Sequence, residues 1–154
     1  MPLLVIAATV YMADQLTKMW IVQYFQVPHS GASIDVFGDF ARLIYSTNTG
    51  AAFGLLQDRT LLFTVIAIAA IPLILLAQRE LRRYGWPTLV TLGLLLGGTL
   101  GNLTDRLRLG YVVDFVDVGV GPLRWPTFNL ADSAFVTGVG ILCVYFLFLQ
   151  RDAK

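Results

Sequence analysis

Two aspartates in the last third of the chain are the residues best suited to chemistry. Asp114 and Asp132 both flank strongly hydrophobic stretches, where a carboxylate is costly unless it is paired, hydrated or functional. If the two side chains approach each other, their titrations become coupled and their pKa values separate. One carboxylate can then act as a base on water while the other donates a proton to a carbonyl. The pair predicts acid–base hydrolysis at a membrane surface, and leaves open which aspartate is the base.

The composition indicates an integral membrane protein with a single domain, residues 1–154. Of the 154 residues, 56% are hydrophobic and only 14% are charged, whereas soluble domains contain about 25% charged residues. The net charge of +1 is not that of a nucleic-acid-binding protein. One cysteine and one histidine exclude a disulfide framework and a zinc site. No metal or cofactor is expected, because two carboxylates can activate water by themselves.

Four hydrophobic stretches predict four transmembrane helices. Each approaches or exceeds the roughly 17 to 25 residues that cross the hydrocarbon core. The first stretch is expected to be a retained span rather than a signal peptide, since it has no basic leader and no small-x-small cleavage site. The predicted spans are residues 2–25, 61–77, 86–104 and 133–150.

The distribution of basic residues predicts the orientation of these spans. Cytoplasmic connectors of membrane proteins carry an excess of lysine and arginine. The short connector 78–85 and the end of the chain are rich in them: Arg79, Arg82, Arg83, Arg151 and Lys154. Both termini are therefore expected in the cytoplasm, although arginines also lie near the opposite boundary. The connectors 26–60 and 107–130, and with them both key aspartates, are expected outside.

The outer connector 26–60 predicts a small β-sheet. Residues 34–37 and 42–46 are rich in β-formers, and residues 48–50 predict a turn. Such a sheet must lie in the membrane interface or be covered by protein, because open sheet edges are not tolerated in hydrocarbon. The second outer connector, 107–130, contains glycines and prolines between the two aspartates.

Further polar residues converge on the same outer boundary. Asp14 and Lys18 are spaced i, i+4, and Asn102, Asp105 and Arg106 are spaced i, i+3, i+4, so each group shares one helical face. The first pair either holds the helices together or supports a site, and both interpretations stay open. For the second group a cap on the helix end is the structural alternative, but convergence of all these groups favours a site.

Two local patterns describe how the helices are arranged. Asn129 is a suitable N-cap for the last span, which would place Asp132 at the third helical position, where the helix dipole favours an ionised carboxylate. Small residues line the third span, and this spacing allows close helix packing; they are Gly93, Gly97, Gly98 and Gly101.

Five short motifs together resemble the lipoprotein signal peptidases, the type II signal peptidases of bacteria. They occur in the order found in that family, and lie at residues 14–18, 48–53, 98–106, 112–115 and 128–133. Any one of them alone is weak. All five in order, on a four-span layout, form a specific signature that runs from the first span to the start of the last.

The resemblance implies an activity and the residues that carry it. It implies an aspartic endopeptidase of the bacterial inner membrane that cleaves prolipoproteins just before a diacylglyceryl-modified cysteine. The catalytic dyad of the family falls on Asp114 and Asp132. The substrate-binding or supporting residues fall on Asp14, Lys18, Asn48, Gly50, Asn102, Asp105, Arg106, Asn129 and Ala131.

The resemblance also implies a fold and partners. The expected fold is an all-α membrane protein with four transmembrane helices and a small extracytoplasmic β-cradle, here near residues 34–53. A short mobile helix would fall near residues 54–60. The expected partners are diacylglyceryl-modified prolipoproteins, membrane lipid and the inhibitor globomycin, and the expected state is a monomer.

Two other classes of protein remain as alternatives. A small transporter or proton channel also places Asp, Lys, Asn and Arg within a membrane, but a relay needs polar groups across the whole thickness, and the second and fourth spans have almost none. A scaffold subunit would leave Asp114 and Asp132 unexplained. Ion flux in liposomes would separate a channel from a peptidase.

Overall fold

All four predicted hydrophobic stretches form helices in the computed structural model, which describes residues 2–50 and 57–149. The helices are α1 (Pro2–Phe25), α2 (Thr60–Leu81), α3 (Trp86–Leu109) and α4 (Leu130–Val144). A 3-10 turn, Arg82–Tyr84, continues α2, and a π-helical segment, Tyr145–Leu149, continues α4. Residues 51–53 of the second motif and 54–56 of the expected mobile helix lie outside the described residues, whereas 57–58 form a turn and Thr60 begins α2.

Two helices are longer than predicted. The connector 78–85 is almost entirely helical, because Gln78, Arg79 and Glu80 are good helix formers although they are too polar for a membrane span. Gly85, at φ +89°, separates this helix from α3. At its other end α3 passes residue 104 and stops at Gly110, whose left-handed backbone is typical of a helix C-terminus.

Two helical segments in the described part of the chain are long and apolar enough to cross a membrane, Thr60–Tyr84 and Leu130–Phe148. Their mean hydropathies are 2.7 and 1.8. α1 and α3 each have 24 residues, or about 36 Å at 1.5 Å per residue. They are therefore long enough to span a bilayer, but they carry more polar side chains.

α3 is the central helix and packs against α1, α2 and α4. Its glycines allow the close approach that their spacing predicts. A Cβ added to Gly97 would lie 2.7 Å from the carbonyl oxygen of Ala7, and one added to Gly98 would collide with the carbonyl oxygen of Ala131. The backbones of α1 and α4 therefore rest directly on α3, and the prediction of close packing is confirmed.

A four-stranded antiparallel sheet completes the fold, in the order β1-β2-β3-β4. Its strands are β1 (Ile34–Phe37), β2 (Ala41–Asn48), β3 (Val112–Val120) and β4 (Leu123–Arg124). The two strands predicted in the first outer connector are confirmed.

Two strands in 107–130, β3 and β4, were not anticipated from the sequence. β3 is a nine-residue strand in which five residues are valine, and β-branched residues favour strands. The glycines and prolines mark the β3–β4 turn and the segment after it, rather than a wholly irregular connector; Gly121 in that turn has φ +54°. The expected cradle at 34–53 is thus only half of the sheet, because β3 pairs along β2.

The sheet covers one end of the helical bundle. A buried cluster of Ile21, Tyr45, Val113 and Phe115 joins the end of α1 to β2 and β3. The C-terminal part of α3 and the N-terminus of α4 meet at the same end, since Asp105 of α3 accepts a hydrogen bond from β3. Nearly all the polar residues singled out in the sequence lie at this junction.

Candidate active site

Asp114 and Asp132 come from different kinds of secondary structure. Asp114 lies in β3 opposite Ser46 of β2 and is 1% exposed. Asp132 lies in the first turn of α4. The Asn129 side chain accepts a hydrogen bond from the Asp132 backbone at 2.9 Å, and Asp132 Oδ2 accepts one from the Asn129 backbone at 3.2 Å. The predicted N-cap is confirmed, and it forms a reciprocal capping box.

Asn129 also joins the two aspartates. Its Nδ2 donates to Asp114 Oδ1 at 2.7 Å, while its backbone N–H binds Asp132. A second amide holds each carboxylate from another element. Asn48, at the end of β2, donates to Asp114 Oδ2 at 3.0 Å, and Asn102 of α3 donates to Asp132 Oδ1 at 2.7 Å. The two carboxyl groups are therefore brought together and oriented by three asparagines.

The surroundings of Asp114 favour its protonated form. Burial and the nearby carboxylate of Asp132 raise the pKa of Asp114 to about 7, although hydrogen bonds from Asn48 and Asn129 act in the opposite direction. A carboxyl with this pKa is only partly ionised at neutral pH. The pair can therefore hold a proton at the pH where an acid–base step requires one.

The polar residues of α1 and α3 form one buried cluster behind the pair. Lys18 Nζ lies 2.9 Å from Asp14 Oδ2, from Asp105 Oδ2 and from Asn102 Oδ1. The predicted pairing of Asp14 with Lys18 is confirmed. Sequence reasoning missed Gln15, whose Nε2 donates to Asp105 Oδ1 at 3.0 Å; its place between Asp14 and Lys18 was the available signal.

Arg106 and Gly50 lie on the other side of the pair. Arg106 Nη2 donates to the Gly50 carbonyl at 3.4 Å, and its guanidinium lies 5.5 Å from the ring centre of Phe63. Within residues 2–50 and 57–149 the buried Nε of Arg106 has no hydrogen-bond partner. Gly50 N–H donates to Asn48 Oδ1 at 2.9 Å, which orients the amide that binds Asp114. Ala131 is fully buried, directly before Asp132.

An open cavity of about 780 Å³ lies between α2, α3, α4 and the sheet. Its polar lining includes Asn48, Asn102, Arg106 and Asp132, while Asp114, which is 1% exposed, is not among the lining residues. The apolar lining from α2 and α4 comprises Phe63, Ile66, Ala67, Ala70, Phe135 and Val136. α2 packs on α3 with no comparable contact to α4, so the cavity opens sideways between them. An extended apolar chain could lie there with a polar end at the carboxylates.

An ion-pair network on the sheet was also missed by sequence reasoning. The buried carboxylate of Asp117 in β3 binds Arg42 of β2 at 2.7 Å and Arg124 of β4 at 2.8 Å. Burial would raise the pKa of Asp117, but the hydrogen bonds from Arg124 and Arg42 outweigh it and hold the pKa below its usual value. The network fixes β3 three residues beyond Asp114. A carboxylate inside a valine-rich strand was the available signal.

Comparisons with known proteins agree over nearly the whole chain. The family model described as signal peptidase II matches residues 6–148. The lipoprotein signal peptidase of Moorella thermoacetica is 47% identical over 143 residues, which are 93% of this chain and 91% of the relative. That of Halothermothrix orenii is 41% identical over 141 residues, covering 92% of each.

Solved structures give the same result for the fold. A structure described as a bacterial membrane enzyme superposes with a TM-score of 0.88 at 31% identity, covering 99% of this chain and 91% of the other. A second, with the same description, has a TM-score of 0.84 at 32% identity and covers 95% and 92%. The mainly helical fold with a small antiparallel sheet is therefore that of a membrane enzyme.

Proposed function

Because this chain belongs to the signal peptidase II family, we propose that it removes the signal peptide from diacylglyceryl-modified prolipoproteins. It is an aspartic endopeptidase and cleaves the bond before the lipidated cysteine. One observation carries the proposal: Asn129 links Asp114 and Asp132, and Asp132 lines an open, mainly apolar cavity. A substrate with an apolar signal helix and two acyl chains requires such a site.

In this proposal Asp114 and Asp132 are the catalytic residues, and they share one proton. The ionised carboxylate takes a proton from water, whose oxygen attacks the scissile carbonyl carbon, while the protonated carboxyl donates to the carbonyl oxygen. The tetrahedral intermediate then breaks its C–N bond as the leaving nitrogen takes up a proton. The products are a signal peptide with a free carboxylate and a lipidated cysteine with a free amine.

The other residues of the cavity wall bind and orient in this proposal. Asn48 and Asn102 keep each carboxylate in a fixed rotamer. The Arg106 guanidinium offers a free Nε–H among the described contacts and so can donate to a substrate carbonyl. Gly50 orients Asn48 through its backbone. Apolar side chains of α2 and α4 receive the signal helix.

The membrane placement is also part of the proposal. The chain crosses the bacterial inner membrane four times, with spans near 2–25, 61–77, 86–104 and 133–150. Both termini lie in the cytoplasm, and the site faces the extracytoplasmic side, with connectors near 26–60 and 107–130. The support is that α1 keeps Asp14 and Lys18 within the bundle, at 0% and 3% exposure, so that neither charge faces lipid. The peptidase acts as a monomer, and globomycin inhibits it at the dyad.

The proposal is tested by cleavage of a diacylglyceryl-modified prolipoprotein by the purified protein, followed by gel shift. Asp114→Asn and Asp132→Asn are each expected to lose a factor of about 10² to 10⁴ or more in rate. Asp35→Asn, an identical change on the exposed strand β1, is the control and should cleave normally. An intact substrate with folded wild-type protein would reject the peptidase. Cleavage that survives both substitutions would reject the dyad.

A further inference from the structure

Two buried carboxylates bind the backbone at equivalent points next to the catalytic pair. Asp14 Oδ1 accepts the N–H of Ala131 at 2.9 Å, and Ala131 directly precedes Asp132. Asp105 Oδ2 accepts the N–H of Val113 at 3.1 Å, and Val113 directly precedes Asp114. One carboxylate therefore holds the start of α4, and the other holds β3, each at the residue before a catalytic aspartate.

Lys18 joins these two carboxylates. Its ammonium lies 2.9 Å from Asp14 Oδ2 and 2.9 Å from Asp105 Oδ2, and the side chains of all three residues are at most 5% exposed. The third N–H of the ammonium donates to Asn102 Oδ1 at 2.9 Å. Asn102 in turn donates to Asp132. Lys18 is therefore connected to Asp132 through Asn102 and Asp14, and to Asp114 through Asp105, which binds the residue before it.

We propose that Asp14, Lys18 and Asp105 form a clamp that sets the separation of Asp114 and Asp132, with Lys18 as a positioning residue for the hydrolysis. This inference rests on the proposed function. The ammonium touches neither catalytic carboxyl and does not line the large cavity. The ammonium acts by holding the carboxylates of Asp14 and Asp105 side by side. Without it, the two negative charges would repel each other and separate.

A clamp is needed because this fold places the two catalytic aspartates in separate elements. Asp114 and Asp132 lie in a strand and a helix that are linked by a turn, the short strand β4 and an irregular segment. Asn129 orients the two side chains and also bonds Asn102 of α3 and the Val113 carbonyl of β3. The backbone N–H groups of Ala131 and Val113, however, are held by carboxylates of α1 and α3. α1 supplies one anchor through Asp14 and Lys18, and α3 supplies the other through Asp105.

A separate cavity of about 200 Å³ makes the clamp accessible to a small molecule. Lys18 and Asp105 line it together with Gln15 and Arg108, and it shares no lining residue with the large cavity. Truncation of Lys18 to alanine would extend this cavity from Asp105 to the carboxylate of Asp14, which lies 2.9 Å from the ammonium. A short alkylammonium ion could then replace the lost ammonium without entering the substrate site.

The test is chemical rescue of Lys18→Ala in the full-length protein, with cleavage of a diacylglyceryl-modified prolipoprotein as the readout. The variant is expected to lose about 10²-fold in kcat with little change in KM, because a displacement of about 1 Å at the reacting groups has an effect of that size. Propylammonium should restore a large part of kcat, and neutral 1-propanol, of similar size, should not. Asp132→Asn should show no rescue by either compound.

Three results would overturn the clamp. They are an unchanged kcat in Lys18→Ala, a folded variant that propylammonium does not rescue, and equal rescue by 1-propanol, which would indicate simple cavity filling. If wild-type protein itself does not cleave, the proposed function fails; if wild-type cleaves and Lys18→Ala cleaves equally well, only the clamp fails.

A second pair of variants decides the matter if Lys18→Ala does not fold. Lys18→Met keeps the aliphatic stem but leaves two facing carboxylates, so its kcat should fall. The double variant Lys18→Met with Asp105→Asn removes one of these charges and keeps an oxygen that can accept the Val113 N–H. Its kcat and its yield of folded protein should exceed those of Lys18→Met. A double variant that is worse than the single one would contradict the clamp.

Discussion

Asp114 and Asp132 bind the same asparagine although their backbones are held in different ways. Asp132 is an N3 residue in a capping box, and both its oxygens accept hydrogen bonds, one from a side-chain amide and one from a backbone N–H. Asp114 lies within a strand and receives two side-chain amides. The two carboxyls are thus chemically inequivalent before any substrate binds, and inequivalence is what an acid–base pair requires.

The raised pKa of Asp114 predicts the pH dependence of cleavage. Asp114 keeps its proton below pH about 7 and loses it above, so the form of the pair with one proton disappears as the pH rises. We expect log kcat/KM to fall above pH about 7, with an apparent pKa that belongs to the pair. A rate that stays constant to pH about 9 in folded enzyme would contradict this assignment.

The same shift predicts how stability depends on pH. A carboxyl whose pKa is raised by folding stabilises the native state below its unfolded pKa, and this contribution is lost as the pH rises through about 7. The thermal unfolding midpoint in detergent should therefore fall between about pH 5 and about pH 8 more steeply in wild-type protein than in Asp114→Asn. Equal slopes in the two proteins would show that a group other than Asp114 causes the pH dependence.

Asn129 has two roles that can be separated by substitution. Asn129→Ala removes both the cap of α4 and the link to Asp114, so it should lower stability by about 0.5 to 2 kcal/mol and also reduce cleavage. Asn129→Ser keeps a capping oxygen but cannot donate through an amide, so stability should be nearly retained while kcat still falls. Thermal unfolding and cleavage rates measured on both variants check this; full activity in Asn129→Ser would show that the link is dispensable.

At the scale of elements, α3 sets the position of α4 through contacts between a glycine of α3 and the backbone of α4. The backbone of Ala131 lies directly over Gly98, and Ala131 precedes Asp132. Gly101 leaves the space occupied by the Asp14 carboxylate, since a Cβ there would lie 2.5 Å from Asp14 Oδ2. Because these glycines have no side chain, polar groups of the site have room at the helix interface.

Gly98→Ala should therefore be destabilising and inactivating. Its Cβ would meet the Ala131 carbonyl, and because backbone cannot rotate away, α4 must shift; overpacking of this kind costs about 1 to 3 kcal/mol. Gly140→Ala on the open face of α4, where no atom lies within 4 Å of the new Cβ, is the matched control. It should be neutral or stabilising by up to about 1 kcal/mol. Wild-type cleavage and unfolding in Gly98→Ala would contradict the argument.

At the scale of the whole molecule, the site exists only where the bundle, the sheet and the open side of the fold meet. The carboxylates lie at the covered end of the bundle, and the cavity runs from them between α2 and α4. The ion-pair network of Asp117 lies on the sheet, where it links β2, β3 and β4. In the proposed function, such a layout lets the signal helix of the substrate approach from the side, between α2 and α4.

A bulky residue in the cavity wall tests this lateral approach. Ala70→Trp on α2 should fill part of the cavity and reduce kcat/KM roughly tenfold or more, with little change in thermal stability. Ala69→Trp, on the exposed neighbouring position outside the cavity lining, should leave kcat/KM unchanged. Equal effects of the two substitutions would show that the cavity is not the route of the signal helix.

The sequence by itself determined the helices, the first two strands, the N-cap and the polar residues that the structure brings together, because each depends on neighbours a few positions away or on a short motif. The catalytic and supporting roles of those residues remain predictions. The number of membrane spans and their orientation remain predictions from composition. Only the tertiary structure decided the pairing of β3 with β2, the cavity, the Asp117 network and the backbone anchors of Asp14 and Asp105. These contacts join residues far apart in the chain, as Asn48 and Asp114 are, 66 positions from each other. Local periodicity carries no signal for such contacts, since they form only when separate elements pack.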